Sequence, residues 1–163
     1  SWHQGALYGQ SSSHPSSVSS SASAFLSAGV PAQKLGIGLA FYGSCWQGTN
    51  AIGQTLGASA RVVASDNIMS YTNIMSQYYS ASAYQWDATA RAGYLSFGTG
   101  TGPQQCTLVS YEDAQAIADK GSYVRSRGLG GAIIWTIGQG HMLTAPIGQQ
   151  DPLLKAAYNA IVP

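Results

Sequence analysis

Charge is what this sequence has least of. Only 8% of its 163 residues are Asp, Glu, Lys or Arg, against a usual share of about 25%. Seven basic residues face six acidic ones, so the net charge is +1 and no basic stripe exists for a phosphate backbone. Nucleic acid is therefore not the expected partner. There is a single glutamate, Glu112. No apolar run approaches the roughly 18 residues of a membrane span, so no membrane partner is expected. Histidine is also scarce, and His3, His14 and His141 have no metal-ligand spacing. No phosphate-binding loop, CxxC pair or G-x-S-x-G elbow occurs, so no cofactor is expected. The chain begins at Ser1-Trp2-His3 without Met or a leader, which reads as a processed or excised piece.

What is present is uncharged and polar: Ser, Thr, Gln, Gly and ten tyrosines over a 45% apolar content. Such a surface suits an uncharged polar partner such as a carbohydrate. The two cysteines, Cys45 and Cys106, bracket a Gly/Ser/Tyr-rich middle. They form either one disulfide, which would place the chain in an oxidising, extracellular compartment, or two free buried thiols.

Residues 1–15 show no period and read as a loop. In 16–28, Val18, Ala22 and Phe25 recur at i, i+4 and i+7, one face of a helix that Gly29 stops. Lys34 to Tyr42 reads as a buried strand. Between the cysteines, "ARVVAS" and "AGYLSF" read as antiparallel strands. Ser70–Ser80 reads as a helix with Ile74, Met75 and Tyr78 inward, and "GTGTGP" at 98–103 as a turn. Ser110 followed by Asp113 resembles a capping box, and Ala114, Ile117, Gly121 and Val124 mark the inner face of the helix it opens. "GAIIWTIG" is a continuous apolar run, the pattern of a strand buried on both faces. The last helix starts at Pro152 with Leu154, Tyr158 and Ile161 inward.

Strand–helix–strand order with buried strands means an α/β fold with a parallel sheet. Two parallel strands cannot cover their own edges, and a whole (β/α)8 barrel needs about 250 residues. The expected fold is thus part of such a TIM barrel carrying a small α+β insertion. The expected division is 1–44 and 107–163 for the barrel segment and 45–106 for the insertion. A small standalone α+β domain is the alternative.

"KLGIGLAFYG", "YQWDATARAGYLSF" and "VSYEDAQAIADKGSYVRSRGLGGAIIWTIGQ" resemble the C-terminal part of family-18 glycoside hydrolases, the chitinases. "SWHQGALYG" resembles the segment after that family's sixth barrel strand. The resemblance runs over nearly the whole chain. It implies strand 7 at 34–42, an insertion of the deep-cleft subgroup, helix 7 at 111–127, strand 8 at 131–137 and helix 8 at 152–162. It also implies a secreted enzyme that cuts β-1,4 bonds between N-acetylglucosamine units with retention. The family's Asp-x-x-Asp-x-Asp-x-Glu motif, whose Glu protonates the glycosidic oxygen, is absent here. This chain alone is not expected to hydrolyse chitin. Its partners would be chitin or a chito-oligosaccharide, together with a missing N-terminal barrel segment or a second copy of itself. A non-catalytic chitin-binding remnant is the alternative.

The resemblance implies site residues one by one. Trp135, at the end of the last strand, matches the floor under the reacting sugar; the alternative is a core Trp. Tyr42 matches a Tyr that bonds the sugar's polar rim; the alternative is strand-end packing. Ser44 stands where the family often has Arg. Trp2 matches an aromatic on the product side of the cleft, or packs. Trp86 and Asp87 lie in the wall formed by the insertion, or serve as its core and a turn. Glu112 with Asp113 is read as a helix start.

Overall fold

The computed structural model describes residues 1–14, 16–54 and 57–162. The loop expected to reach residue 15 and the segment expected to end at residue 163 therefore extend past the described residues. Helix α1 (Val18–Ser27) opens where Ser17 accepts from the Ser20 amide and the Ser20 hydroxyl accepts from the Ser17 amide. It ends at Gly29, whose φ of 89° is the left-handed stop that glycine adopts without a Cβ penalty. Ala22 faces Leu7 and Tyr123, but Phe25, expected inward, is 56% exposed and lines an open cavity with Ala22 and Ile37.

The expected strand 34–42 is shorter and breaks in two. Lys34 belongs to a 3₁₀ turn (Ala32–Lys34), β1 runs Gly36–Ala40, and Phe41 is a fully buried bend. Tyr42 opens the next strand, β2 (Tyr42–Gln47). After it come β3 (Arg61–Ser70), α2 (Tyr71–Gln77), β4 (Tyr84–Asp87), β5 (Ala92–Thr101) and β6 (Cys106–Tyr111). These five strands form one antiparallel sheet in the order β3-β2-β6-β5-β4. Cys45 and Cys106 are joined by a disulfide inside it, both side chains fully buried. The turn expected at 98–103 sits at 102–105, because β5 continues to Thr101 opposite Cys106.

Ser110 is not a helix cap. It stays in β6, opposite Ser44 and Tyr94, and Asp113 caps α3 (Ala114–Ser126) by accepting from the Ala116 amide at 2.8 Å. Ile117, Gly121 and Val124 face inward as expected, whereas Ala114 is exposed. Then β7 (Gly131–Trp135) lies parallel to β1, from Gly36 opposite Gly131 to Ala40 opposite Trp135. A 3₁₀ turn (Ile137–Gly140) follows instead of further strand, and α4 (Pro152–Ile161) closes the chain. α4 buries Leu153, Ala157 and Ala160, one residue round from the expected face, and Tyr158 points to solvent.

The main core gathers Ile37 and Leu39 of β1 with Ile117 and Val124 of α3, Leu153 of α4 and the inner side of the antiparallel sheet. This covers one face of the β1–β7 pair only. On the other face Ile133 is 70% and Trp135 61% exposed, beside the exposed Gly36 and Gly38. Burial on both faces is thus not met within the described residues. No helix among them is long and apolar enough to cross a membrane.

Candidate substrate-binding site

The open face of the parallel pair carries a cavity of about 260 Å³. Trp135 and Ile133 come from β7, Ala40 from β1, Tyr42 from the start of β2, and Gln4 from the N-terminal segment. Pairing of β1 with β7 puts Trp135 opposite Ala40, and the bend at Phe41 then delivers Tyr42 to the same cavity. The Phe41 amide donates to the Trp135 carbonyl at 2.8 Å and fixes that corner. A large, exposed indole beside a phenol offers an apolar face with a polar rim, which is what a pyranose ring presents in return.

Gln139, which the sequence did not single out, holds the turn after Trp135. Its side-chain amide donates to Asp66 at 2.7 Å and Asn67 at 2.8 Å, and its carbonyl accepts from the Thr136 amide at 3.2 Å. Asp66 takes a positive φ of 52° there. The latch ties β3 to the segment that carries Trp135. Nothing in local sequence marks it, because the partners lie more than 70 residues apart.

Glu112 lines the Trp135 cavity from behind, in an ion pair with Lys120. The carboxylate is 2% and the lysine 0% exposed, and Glu112 Oε2 has no partner among the described residues. Gly5 lies so close that a Cβ there would sit 2.3 Å from Glu112 Oε1. Burial pushes the carboxyl above the usual glutamate range, against the pull of the Lys120 ammonium. Of the pair read as a helix start, Asp113 is the cap of α3, and Glu112 is buried against Lys120. The signal for it was Lys120, a charge set among Ile117, Gly121 and Val124 on an otherwise apolar helix face.

The remaining candidates lie elsewhere. Trp2 packs against Ala6, Ala90 and Ala92, with His14 stacked on its ring at 4.2 Å. Asp87 accepts from His3 Nε2 at 3.0 Å and from the Thr89 and Ala90 amides at 2.9 Å, which makes it the anchor of a turn. Burial pushes its carboxyl up, but the hydrogen bonds from Ala90 and His3 outweigh that and hold it below the usual range. Burial likewise holds the His3 imidazole below the ordinary histidine value, against the pull of Asp87. Trp86, in β4 opposite Gly93, does not line the Trp135 cavity. Ser44 donates to Gln4 and lies 3.2 Å from Ser65, so its position carries a neutral cluster. Among the described residues no three His, Cys, Asp or Glu side chains gather to hold a metal.

The family described as glycosyl hydrolases family 18 matches residues 1–140. This chain belongs to that family. It is 32% identical over 127 residues to chitinase A1 of Niallia circulans, an alignment covering 74% of this chain and 18% of that protein. The family-18 N-acetylglucosaminidase of Paenibacillus barengoltzii superposes with a TM-score of 0.71 at 26% identity, over 98% of this chain and 43% of that one. A class V chitinase mutant from Nicotiana tobaccum, solved in complex with NAG4, superposes at 0.73 with 24% identity, over 100% of this chain and 44% of that one. The family-18 chain thus spans less than half the length of each of these three proteins.

Proposed function

We propose that this chain is the C-terminal share of a family-18 (β/α)8 barrel, and that the whole barrel hydrolyses β-1,4-linked N-acetylglucosamine polymers with retention. The observation that carries the reading is the exposed Trp135 at the C-terminal end of β7, in one cavity with Tyr42. Barrel enzymes build their sites at that end of the strands. In this reading β1 and β7 are barrel strands 7 and 8. The insertion, expected at 45–106, widens in this reading to 42–111 so as to hold the whole antiparallel sheet, and walls the cleft. Trp135 is the floor under the reacting sugar and Tyr42 bonds its rim. The acid that protonates the leaving oxygen comes from the part of the barrel outside this span, and the reaction uses no cofactor. The disulfide suits a secreted protein.

Replacing Trp135 by Ala tests the floor. Affinity for chitotetraose, read by titration calorimetry, is expected to fall by about 1–3 kcal/mol, the range for an aromatic stacked on a planar ligand. Unchanged affinity would return Trp135 to a packing role. The open face gives a second expectation: without the remaining strands, Ile133, Trp135 and the free edges of β1 and β7 drive self-association. Sedimentation velocity should find species heavier than 16.9 kDa at micromolar concentration. A monodisperse monomer would count against the incomplete barrel.

A second reading, a chitin-oligosaccharide-binding protein without hydrolysis, is favoured by one observation. The only glutamate is buried against Lys120 and is not available as an acid. Assay on a chromogenic chito-oligosaccharide with an added N-terminal barrel segment separates the readings: turnover supports the first, and binding without turnover the second.

A further inference from the structure

We propose that Gln139 is the positioning residue of Trp135, and that a bulge in β3 is the brace that holds Gln139. The inference rests on the reading of Trp135 as a sugar floor and says what keeps that floor in place. The peptide that follows Trp135 is tied on both sides. Its carbonyl accepts from the Phe41 amide at 2.8 Å, and its N–H, on Thr136, donates to the Gln139 side-chain carbonyl at 3.2 Å. The first tie belongs to the corner that delivers Tyr42. The second depends on one side chain.

That side chain is fully committed. Gln139 is 7% exposed, its own amide donates to the Thr136 carbonyl at 3.0 Å, and its carbonyl accepts from the Thr72 hydroxyl at 3.1 Å. Its side-chain amide donates to both Asp66 and Asn67. A buried amide with every polar atom paired is held in one conformation. The acceptors come from irregular backbone. In the pairing of β2 with β3, Tyr42 lies opposite Ser70 and Ser44 opposite Ser65, so residues 66–69 stand against Gly43 alone. A bulge bends a strand out of its ladder and re-aims its side chains. This one carries Asp66 at a positive φ, and strained backbone persists where its surroundings hold it. Asn73 of α2 does so, donating to the Asn67 and Ile68 carbonyls at 3.3 and 3.1 Å. The chain of contacts thus runs from α2 through the bulge and Gln139 to Trp135. Because β3 also pairs with Tyr42, one strand sets both walls of the cavity relative to each other. The inserted sheet is in this way the brace of the floor as well as the wall of the cleft.

The test reads the four indole N–H signals of the ¹⁵N-labelled chain in proton–nitrogen correlation spectra, with Trp135→Ala identifying the one from Trp135. Gln139→Met keeps the length of the side chain and loses all its hydrogen bonds. The Trp135 signal is expected to shift or broaden in it while those of Trp2, Trp46 and Trp86 stay in place. If that variant fails to fold, Asp66→Gly serves, since glycine adopts the positive φ and removes one acceptor. Asp66→Asn keeps both an acceptor and that φ, and should retain the parent signal. A Trp135 signal that ignores Gln139→Met and Asp66→Gly, or that moves only along with the other three, overturns the inference. Affinity for chitotetraose separates it from the reading on which it rests. Gln139→Met should weaken binding about fivefold, the value of one hydrogen bond, and should cause no further loss on the Trp135→Ala background. An equal loss on that background would also overturn the positioning role. If Trp135→Ala binds as tightly as the parent, the sugar floor falls, and the indole signals alone decide whether Gln139 positions Trp135.

Discussion

Lys120→Met should destabilise the chain by about 3–5 kcal/mol at pH 7, the cost of stranding one member of a buried ion pair. Glu112 and Lys120 are almost wholly shielded from water, so solvent screening does not soften the loss. The pH dependence follows from the sign of the shift. Burial already raises the Glu112 carboxyl above its unfolded value, and removing Lys120 takes away the opposing pull. A carboxyl raised in the folded state favours folding while protonated. Its stability is fully present below the unfolded value of about 4.3 and is lost as pH rises through the folded value. The gap between variant and parent should therefore be small near pH 4 and widest at neutral pH. Urea denaturation of both proteins at pH 4.5 and 7 measures it. A gap independent of pH, or below about 1 kcal/mol, would mean that water reaches the pair. Replacing both residues, as Glu112→Leu with Lys120→Met, should recover most of the loss, because no charge is then left buried.

Removing the disulfide should cost about 4 kcal/mol, the loop-closure value for a cross-link over 61 residues. In the folded protein the bond joins β2 to β6, strands that the sheet already pairs. Its effect is therefore mainly on the unfolded chain, whose freedom it restricts across the whole antiparallel sheet. Comparison of the parent with Cys45→Ala/Cys106→Ala by denaturant unfolding gives the difference. Because both sulfurs are fully buried, a mild reductant should leave the native protein oxidised until it opens. An unchanged denaturation midpoint in the double variant would place the stabilisation in strand pairing alone.

Local signals carried a good part of the fold. Gly29 and Pro152 punctuate α1 and α4 where expected, because a left-handed stop and a fixed φ act on one or two residues. Where two local rules compete, tertiary pairing decided. Ser110 and Asp113 have capping-box spacing, yet Ser110 bonds across β2 and β5 and leaves the cap to Asp113. Leu154, Tyr158, Ile161 and Leu153, Ala157, Ala160 have the same i, i+4, i+7 spacing. The second set is buried because α3 presents Gly121, where a Cβ would come within 2.4 Å of Ala160, and so close an approach needs small residues. The bend at Phe41 carries no mark, since an apolar run reads alike whether straight or broken.

The candidate site divides in the same way. Trp135 is legible as a strand end, since β7 does end there, whereas Tyr42 opens β2 after the bend at Phe41, and the fold brings the two into one cavity. Trp2 and Asp87 were each read either as cleft residues or as a packing residue and a turn residue, and the structure shows Asp87 anchoring a turn and His3 and Trp2 stacked with His14. By itself, the sequence determined a weakly charged chain with two parallel strands, antiparallel strands between the cysteines and an aromatic at the last strand's end. These follow from periodicity and composition, which act over a few residues. Only the tertiary structure decided which polar groups meet: Glu112 with Lys120, Gln139 with Asp66, His3 with Asp87. A charge or hydrogen-bonding group forced out of water must find a partner wherever the packed fold brings one. For His3 that partner is 84 residues away, beyond the reach of any local pattern.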